Sequence, residues 1–187
     1  MDKCNIVSLV EDITLSIADY VESKNLNLIF DTDVEEKFIC CDPDNIERII
    51  LNLLSNSIKF TKPGDNILVN LQDKHKSILI SVKDSGIGIE KDKLDVIFER
   101  FKQVNKSFIR DNEGSGIGLS LVKSLIEMHN GSIKVNSIYG EGSEFIIELP
   151  TNTLDCKETY LPYKELYKKQ DTKIEKINIE FSDIYFT

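Results

Sequence analysis

Lys83-Asp84-Ser85-Gly86-Ile87-Gly88-Ile89 closes the alternating run Ser77-Ile78-Leu79-Ile80-Ser81-Val82, and its reading decides the fold. Alternation predicts a strand on which Ile78, Ile80, Val82 and Asp84 share one face. Three aliphatic neighbours mark that face as buried, so Asp84 is aimed inward. A buried carboxylate is costly unless donors reach it. The exocyclic amine of a purine, with backbone N–H groups or water, would supply them. Gly86 and Gly88 then let the backbone approach a flat ring and accept positive φ. Asp, Ser and Gly are also ordinary turn formers, so a plain strand-to-helix turn is the better reading of this stretch when taken alone.

Upstream, Asp42-Pro43-Asp44 predicts a helix start, with Asp42 as N-cap and Pro43 at the first helical position. From Asn45 to Phe60 the apolar residues Ile46, Ile49, Ile50, Leu53, Leu54 and Ile58 keep helical spacing. Arg48, Asn52, Asn56 and Lys59 fall on one edge of that helix. Amide oxygens are neutral, hard ligands suited to a Mg²⁺ that already holds phosphate, and Lys59 is a point charge for a phosphate chain. The competing reading is a solvated polar face. Asparagine is a poor helix former, however, and lysine or glutamate would serve such a face better.

The third element is Gly114-Ser115-Gly116-Ile117-Gly118-Leu119, running into the helical pattern Ser120 to His129 that stops at Asn130-Gly131. Glycines at a helix N-terminus form a phosphate cradle, because unpaired N–H groups and the helix dipole both favour an anion. A dinucleotide fingerprint is excluded: Leu119 stands where its third glycine belongs, and no strand precedes the run. A Walker loop is excluded as well, since no Gly-Lys-Ser/Thr occurs.

Together these stretches resemble the catalytic, ATP-binding domain of bacterial sensor histidine kinases, within the gyrase, heat-shock chaperone, histidine kinase and MutL superfamily. Asn52-Leu-Leu-Ser-Asn56-Ser-Ile-Lys59-Phe60-Thr61 is similar to the family's N box, and Asp84-Ser-Gly86-Ile-Gly88 to its G1 box. Ile97-Phe98-Glu-Arg-Phe101 is similar to the F box and Gly114–Leu119 to the G2 box. The resemblance covers residues 6 to 150. It implies a two-layer α/β sandwich of the Bergerat type, a mixed sheet covered on one face by three helices, with ATP under a lid. It implies that Asn56 ligates Mg²⁺ with help from Asn52. Lys59 and the amides of Gly116, Ile117, Gly118 and Leu119 would hold phosphates, Gly114 and Ser115 would belong to the same nucleotide-binding run, and Asp84 would read the adenine amine. Phe60, Gly86, Ile87, Gly88 and Ile97 would line base and ribose. Where many members carry Tyr-Arg after the F box, this chain has Lys102-Gln103; a phosphate-binding arginine is missing there, and Lys102 and Arg110 are the candidate substitutes. The phospho-accepting motif, His-Glu followed shortly by Pro, does not occur.

Composition is consistent with this reading. The 187 residues suffice for one domain, placed at 1–150, with an appendage at 151–187. Hydrophobic content of 41% and charged content of 29% are those of an ordinary globule, and a net charge of −9 argues against nucleic acid or an anionic membrane as partner. No stretch reaches transmembrane length and no signal peptide is visible, so a cytoplasmic domain of a parent that is itself membrane-anchored or soluble is expected. The four cysteines lack C-x-x-C spacing, and adjacent Cys40 and Cys41 in a strand point oppositely, which argues against metal and disulfide alike. His75 is expected in a hairpin turn and His129 at a helix end, where positive charge suits the dipole.

Along the chain, a leading strand over 1–7, one helix from Ser8 to Ser23 and strands at 26–31 and 37–41 are expected. A hairpin 67–71/78–82, a short helix Lys91–Ile97, a lid over 100–115 and strands 132–137 and 143–149 complete the pattern. The last 37 residues hold six of the fifteen aromatics, too many for a disordered tail, so packing on the domain or on a partner is expected. Four functions remain: a histidine kinase domain acting on a His-bearing dimerisation domain and a response-regulator receiver, a gyrase- or MutL-like ATPase, a serine kinase of the anti-sigma type, and a module that only binds ATP. The hydrolysing branch places a glutamate where this chain has Asn52.

Overall fold

The computed structural model describes residues 1–99, 118–151 and 156. Its elements are β1 (Asp2–Asn5), α1 (Ile6–Leu15), α2 (Ala18–Ser23), β2 (Asn27–Thr32), β3 (Phe38–Cys41) and α3 (Pro43–Phe60). They continue with β4 (Asn66–Asp73), β5 (Ser77–Asp84), a 3₁₀ turn at Lys91–Lys93, α4 (Gly118–Met128), β6 (Ser132–Ile138) and β7 (Gly142–Pro150). Five strands form one sheet in the order β2-β4-β5-β7-β6, while β1 and β3 pair apart as a small antiparallel ribbon. The β2–β4 pair is parallel and the other three pairs are antiparallel, so the sheet is mixed. Helices α1–α2, α3 and α4 pack on one side of it, giving the expected two-layer α/β sandwich.

The core lies between the layers. Ile67, Val69 and Leu71 of β4, Ile78, Ile80 and Val82 of β5, and Phe145, Ile147 and Leu149 of β7 all point into it. Alternation along β5 carries Asp84 onto the same face, and its register pairs it with Ile67 on one side and Ser143 on the other. The solvent side of the sheet has a shallow depression of about 330 Å³ lined by residues such as Leu68, Asn70, Leu79, Lys83 and Ile146, on the opposite face from Asp84.

Three local expectations are corrected. Helix 8–23 is two helices, and it starts earlier. Asn5 caps it, its Oδ1 accepting from Val7 N at 3.3 Å and from Lys37 N at 3.1 Å. Near the break, Thr14 Oγ1 donates to Val10 O at 2.7 Å and Ser16 Oγ to Ile13 O at 2.6 Å. Such hydroxyls compete for carbonyls that the helix would use, and bend it; Ile17 then leaves helical geometry at φ −110, ψ 5. The expected helix 91–97 is a 3₁₀ turn continued by i→i+3 bonds, Val96 N to Lys93 O and Glu99 N to Val96 O. Ile97 is buried, and Phe98 packs edge-on against Phe145 at 6.4 Å between ring centres, so the segment follows the core surface rather than a helix axis.

The third correction concerns the end of α4. Asn130, not Gly131, takes the left-handed position (φ 55), and Gly131 N returns to Ile126 O at 3.0 Å. What Gly131 supplies is space, since a Cβ there would lie 2.6 Å from Glu148 O. His129 is not a dipole-soothing cation. It is 4% exposed, its Nε2 accepts from Asp42 N at 3.0 Å, and its Nδ1 is 2.7 Å from Leu125 O. An accepting Nε2 requires the neutral ring with the proton on Nδ1. His129 thereby ties the end of α4 to the N-cap of α3. His129→Ala should cost about 2–4 kcal/mol, from a cavity plus an orphaned amide, measured as a lower urea midpoint at unchanged slope. His75 sits in the β4–β5 turn as expected, at φ 62.

Candidate nucleotide site

The site is built where the ends of α3 and β5 meet the start of α4. Asp42 does cap α3, accepting from Asp44 N at 3.0 Å and Asn45 N at 3.3 Å, with Pro43 in the first turn. The apolar side of α3 is fully committed to the core, Ile46, Ile49, Ile50, Leu53 and Leu54 being at most 1% exposed. Its other edge therefore presents Asn52, Asn56 and Lys59, all half-buried. Asn56 Nδ2 donates to Asn52 Oδ1 at 3.3 Å, so the two amides act as a pair. Lys59 Nζ stands 5.9 Å from the centre of the Phe60 ring, which is 37% exposed.

Asp84 is 6% exposed, as strand parity requires. Its Oδ1 accepts from Gly86 N at 2.9 Å and Ser143 N at 3.3 Å, and Ser57 Oγ lies 3.5 Å from Oδ2. Burial pushes its pKa above the ordinary carboxylate value, and the donors from Gly86, Ser143 and Ser57 hold that rise back. Ser57 and Ser143 escape a reading by motif. Ser57 follows Asn56 but lies on the buried side of α3, and Ser143 arrives from a distant strand through the sheet register.

The glycine loop after β5 is gripped from two sides. Ile87 N donates to Phe60 O at 3.1 Å, and a Cβ on Gly86 would fall 2.2 Å from that same carbonyl. On the other side Gly140 N donates to Ile87 O at 2.7 Å, and Gly88 (φ +67) lies under Ile138 O, 2.1 Å from where its Cβ would be. The loop is thus pressed between the end of α3 and the β6–β7 turn. Ile97 is buried close by in sequence to the loop's exit.

The start of α4 completes the arrangement. A Cβ on Gly118 would sit 2.7 Å from Asn52 Nδ2 and 2.9 Å from Asn52 Oδ1, so the second glycine run ends directly against the asparagine pair. Leu119 is half-buried beside it and packs against the core. The fold therefore joins residues far apart in sequence, Ser57 with Asp84, Asp84 with Ser143 and Asn52 with Gly118. Lys102, Gln103, Arg110, Gly114, Ser115, Gly116 and Ile117, with the expected lid, lie outside the described residues. No group of three or more His, Cys, Asp or Glu that could hold a metal occurs among the described residues.

Comparison with known proteins bears on the family and the fold. Residues 41–153 match the family model described as histidine kinase-, DNA gyrase B-, and HSP90-like ATPase. The chain is 32% identical over 145 residues to the sensor protein SrrB of Staphylococcus aureus, a match covering 78% of this chain and 25% of that protein. It thus spans about a quarter of the length of the curated relatives it matches. Among solved structures, the catalytic domain of histidine kinase ThkA superposes with a TM-score of 0.70 at 26% identity, covering 81% of this chain and 97% of that one. Full-length ShkA in complex with AMPPNP superposes with a TM-score of 0.69 at 26% identity, over 79% of this chain and 30% of that one. The chain belongs to the histidine kinase-, DNA gyrase B- and HSP90-like ATPase family, and within it has the fold of the ATP-binding catalytic domain of a sensor histidine kinase.

Proposed function

We propose that this chain, with residues 1–150 as the catalytic unit, binds ATP with Mg²⁺ and transfers the γ-phosphoryl group to a histidine on a dimerisation domain that it does not itself contain. From there the group passes to a response-regulator receiver domain. The observation that carries the reading is the Asn52–Asn56 pair against Gly118. Phosphoryl transfer is mostly positioning and charge neutralisation, and this edge supplies neutral oxygens, a lysine and a helix N-terminus. It supplies no proton acceptor: Asn52 cannot take a proton from water. General-base help is worth about 10²–10⁴-fold, so hydrolysis by this domain is slow and the nucleophile comes from outside. Asp84 reads the adenine amine, and Phe60, Gly86, Ile87, Gly88 and Ile97 line the base and ribose. Phosphate contacts are assigned to Lys59 and the Gly118 and Leu119 amides, and by the family resemblance to the Gly114–Ile117 run and to Lys102 or Arg110, with Gln103 standing where many members carry an arginine.

The donor set fits a hard divalent cation that also carries phosphate oxygens and water. The Asn56-to-Asn52 hydrogen bond uses the Asn56 NH₂ group and leaves its amide oxygen to the cation, which would neutralise phosphate charge when bound. Outer-sphere substitutions cost about 10- to 100-fold in metal affinity, so losing an inner ligand in Asn56→Ala should weaken MgATP by at least about tenfold. Adenosine, which carries no phosphate, should bind nearly as before; calorimetry with both ligands checks this.

The test of the function is transfer in trans. Incubated with γ-labelled ATP, the chain should neither label itself nor release phosphate quickly, yet should label the His-bearing helix domain of the same parent, with acid-labile chemistry. Acid-stable label on a protein serine would make it a serine kinase, and brisk phosphate release an ATPase. We also assign residues 151–187 to an aromatic-rich appendage of the catalytic unit. A cytoplasmic setting follows from its ATP and receiver-domain partners; no helix among the described residues is long and apolar enough to cross a membrane.

A further inference from the structure

The cysteines, which the site does not use, gather at the β1–β3 ribbon. Its register is Asp2↔Cys41, Lys3↔Cys40 and Cys4↔Ile39, so Cys4 and Cys41 share one face, diagonal to each other, while Cys40 faces the other way. Cys41 is fully buried and Cys4 is half-buried. Cys4 Sγ donates to Asp2 O at 3.5 Å. The neighbouring Cys41 thiol holds the Cys4 pKa down, while Cys4 and burial push the Cys41 pKa well above the thiol range, which makes Cys4 the better thiolate. Cys40 lies on the opposite face of the ribbon. Adjacency of Cys40 and Cys41 does direct them apart, but it leaves Cys41 with a neighbour from elsewhere in the chain.

We propose that Cys4 and Cys41 form a reversible redox couple, in which a two-electron oxidant of the peroxide class joins β1 to β3 through a disulfide. The Cys4 thiolate attacks one peroxide oxygen, the O–O bond breaks, and hydroxide leaves; Cys4 becomes a sulfenic acid. The Cys41 sulfur then attacks the Cys4 sulfur, the S–O bond breaks, and water leaves with the Cys41 proton. Overall, two thiols and one hydrogen peroxide give one disulfide and two waters. The half-exposed thiol meets the oxidant and the buried one resolves it. Diagonal neighbours stand about 7–8 Å apart and a disulfide spans about 4.4–6.8 Å between Cα atoms, so closing the bond draws the four-residue β1 toward β3. Cys41 precedes Asp42, the N-cap of α3, so the bond fastens the strand that launches the helix bearing Asn52 and Asn56.

The experiment treats the full reduced chain with hydrogen peroxide, alkylates remaining thiols in denaturant and maps disulfides by peptide mass spectrometry. The expected product is an intramolecular Cys4–Cys41 cross-link that dithiothreitol reverses and that raises the urea midpoint. Cys41→Ala should stop the reaction at a dimedone-reactive Cys4, and Cys4→Ser should leave Cys41 alkylatable. A dominant Cys40–Cys156 or intermolecular disulfide, or full alkylation of both Cys4 and Cys41 after oxidation, would overturn the proposal. Should Cys41→Ala not fold, the half-exposed Cys4→Ser variant and the wild-type map decide it.

Discussion

Asp84→Asn is expected to weaken ATP binding by about 10- to 100-fold while leaving the nucleotide-free fold as stable as before or more so. The two effects have different origins. A hydrogen bond to a charged group is worth about 1.5–3 kcal/mol, and each 1.4 kcal/mol is a factor of ten in affinity. Asparagine keeps one acceptor for Gly86 N and Ser143 N but turns an amide N–H₂ toward Ser57 and the base, where the adenine amine needs an acceptor. Because guanine presents a carbonyl where adenine presents the amine, the preference for ATP over GTP should collapse as well. Stability moves the other way. The Asp84 pKa is raised in the fold by burial, so the folded state favours the neutral acid. That contribution is present below the unfolded carboxylate pKa and is lost as pH rises through the higher folded value. At neutral pH the ionised group is a net burden that Asn removes. Titration calorimetry with ATP and GTP, beside thermal melting from pH 4 to 8, separates the two effects. An unchanged ATP-to-GTP ratio would remove Asp84 from the role of base reader, and a lower melting point at pH 7 would contradict the electrostatic account.

Gly142→Ala is expected to be the most damaging single methyl in the described structure near the site. Gly142 has φ +121, and an added Cβ would fall 2.1 Å from Asp84 O and 2.9 Å from Asp84 C and Ser85 Cα. Those are backbone atoms of a paired strand, so no side chain can swing away. The φ alone is worth about 1–3 kcal/mol of strain, and the clash adds to it, for a total of at least about 3 kcal/mol. Gly140→Ala is the internal control: its φ is +91, and nothing lies within 4 Å of the added carbon. It carries the strain without the clash. Urea unfolding of both variants should show a Gly142→Ala midpoint well below that of Gly140→Ala. Equal midpoints would mean that β7 can move away from Asp84. Since Gly142 also sets Ser143 N against Asp84 Oδ1, nucleotide affinity should fall in Gly142→Ala and persist in Gly140→Ala.

The sandwich was legible in the sequence through the resemblance its motifs carry, and the buried and free faces of its elements through patterns that are local. Period-two alternation over Ser77–Asp84 placed Asp84 on the buried face, and helical spacing with Asp42 and Pro43 placed Asn52, Asn56 and Lys59 on the free edge of α3. Both follow from backbone periodicity and the committed apolar side, which any register of packing would respect. What the sequence left open was decided by contacts between distant segments. Ser143 reaches Asp84 only because β7 pairs with β5; Gly118 meets Asn52 only because α4 packs on α3; His129 finds Asp42 across the same interface. The break at Ser16–Ile17 and the 3₁₀ turn at Lys91–Lys93 went unread for a related reason: hydroxyl-to-carbonyl bonds and the pull of a neighbouring core override a helical pattern that looks continuous in one dimension. Cys4 and Cys41 are 37 positions apart with no motif to join them, and strand pairing alone makes them neighbours.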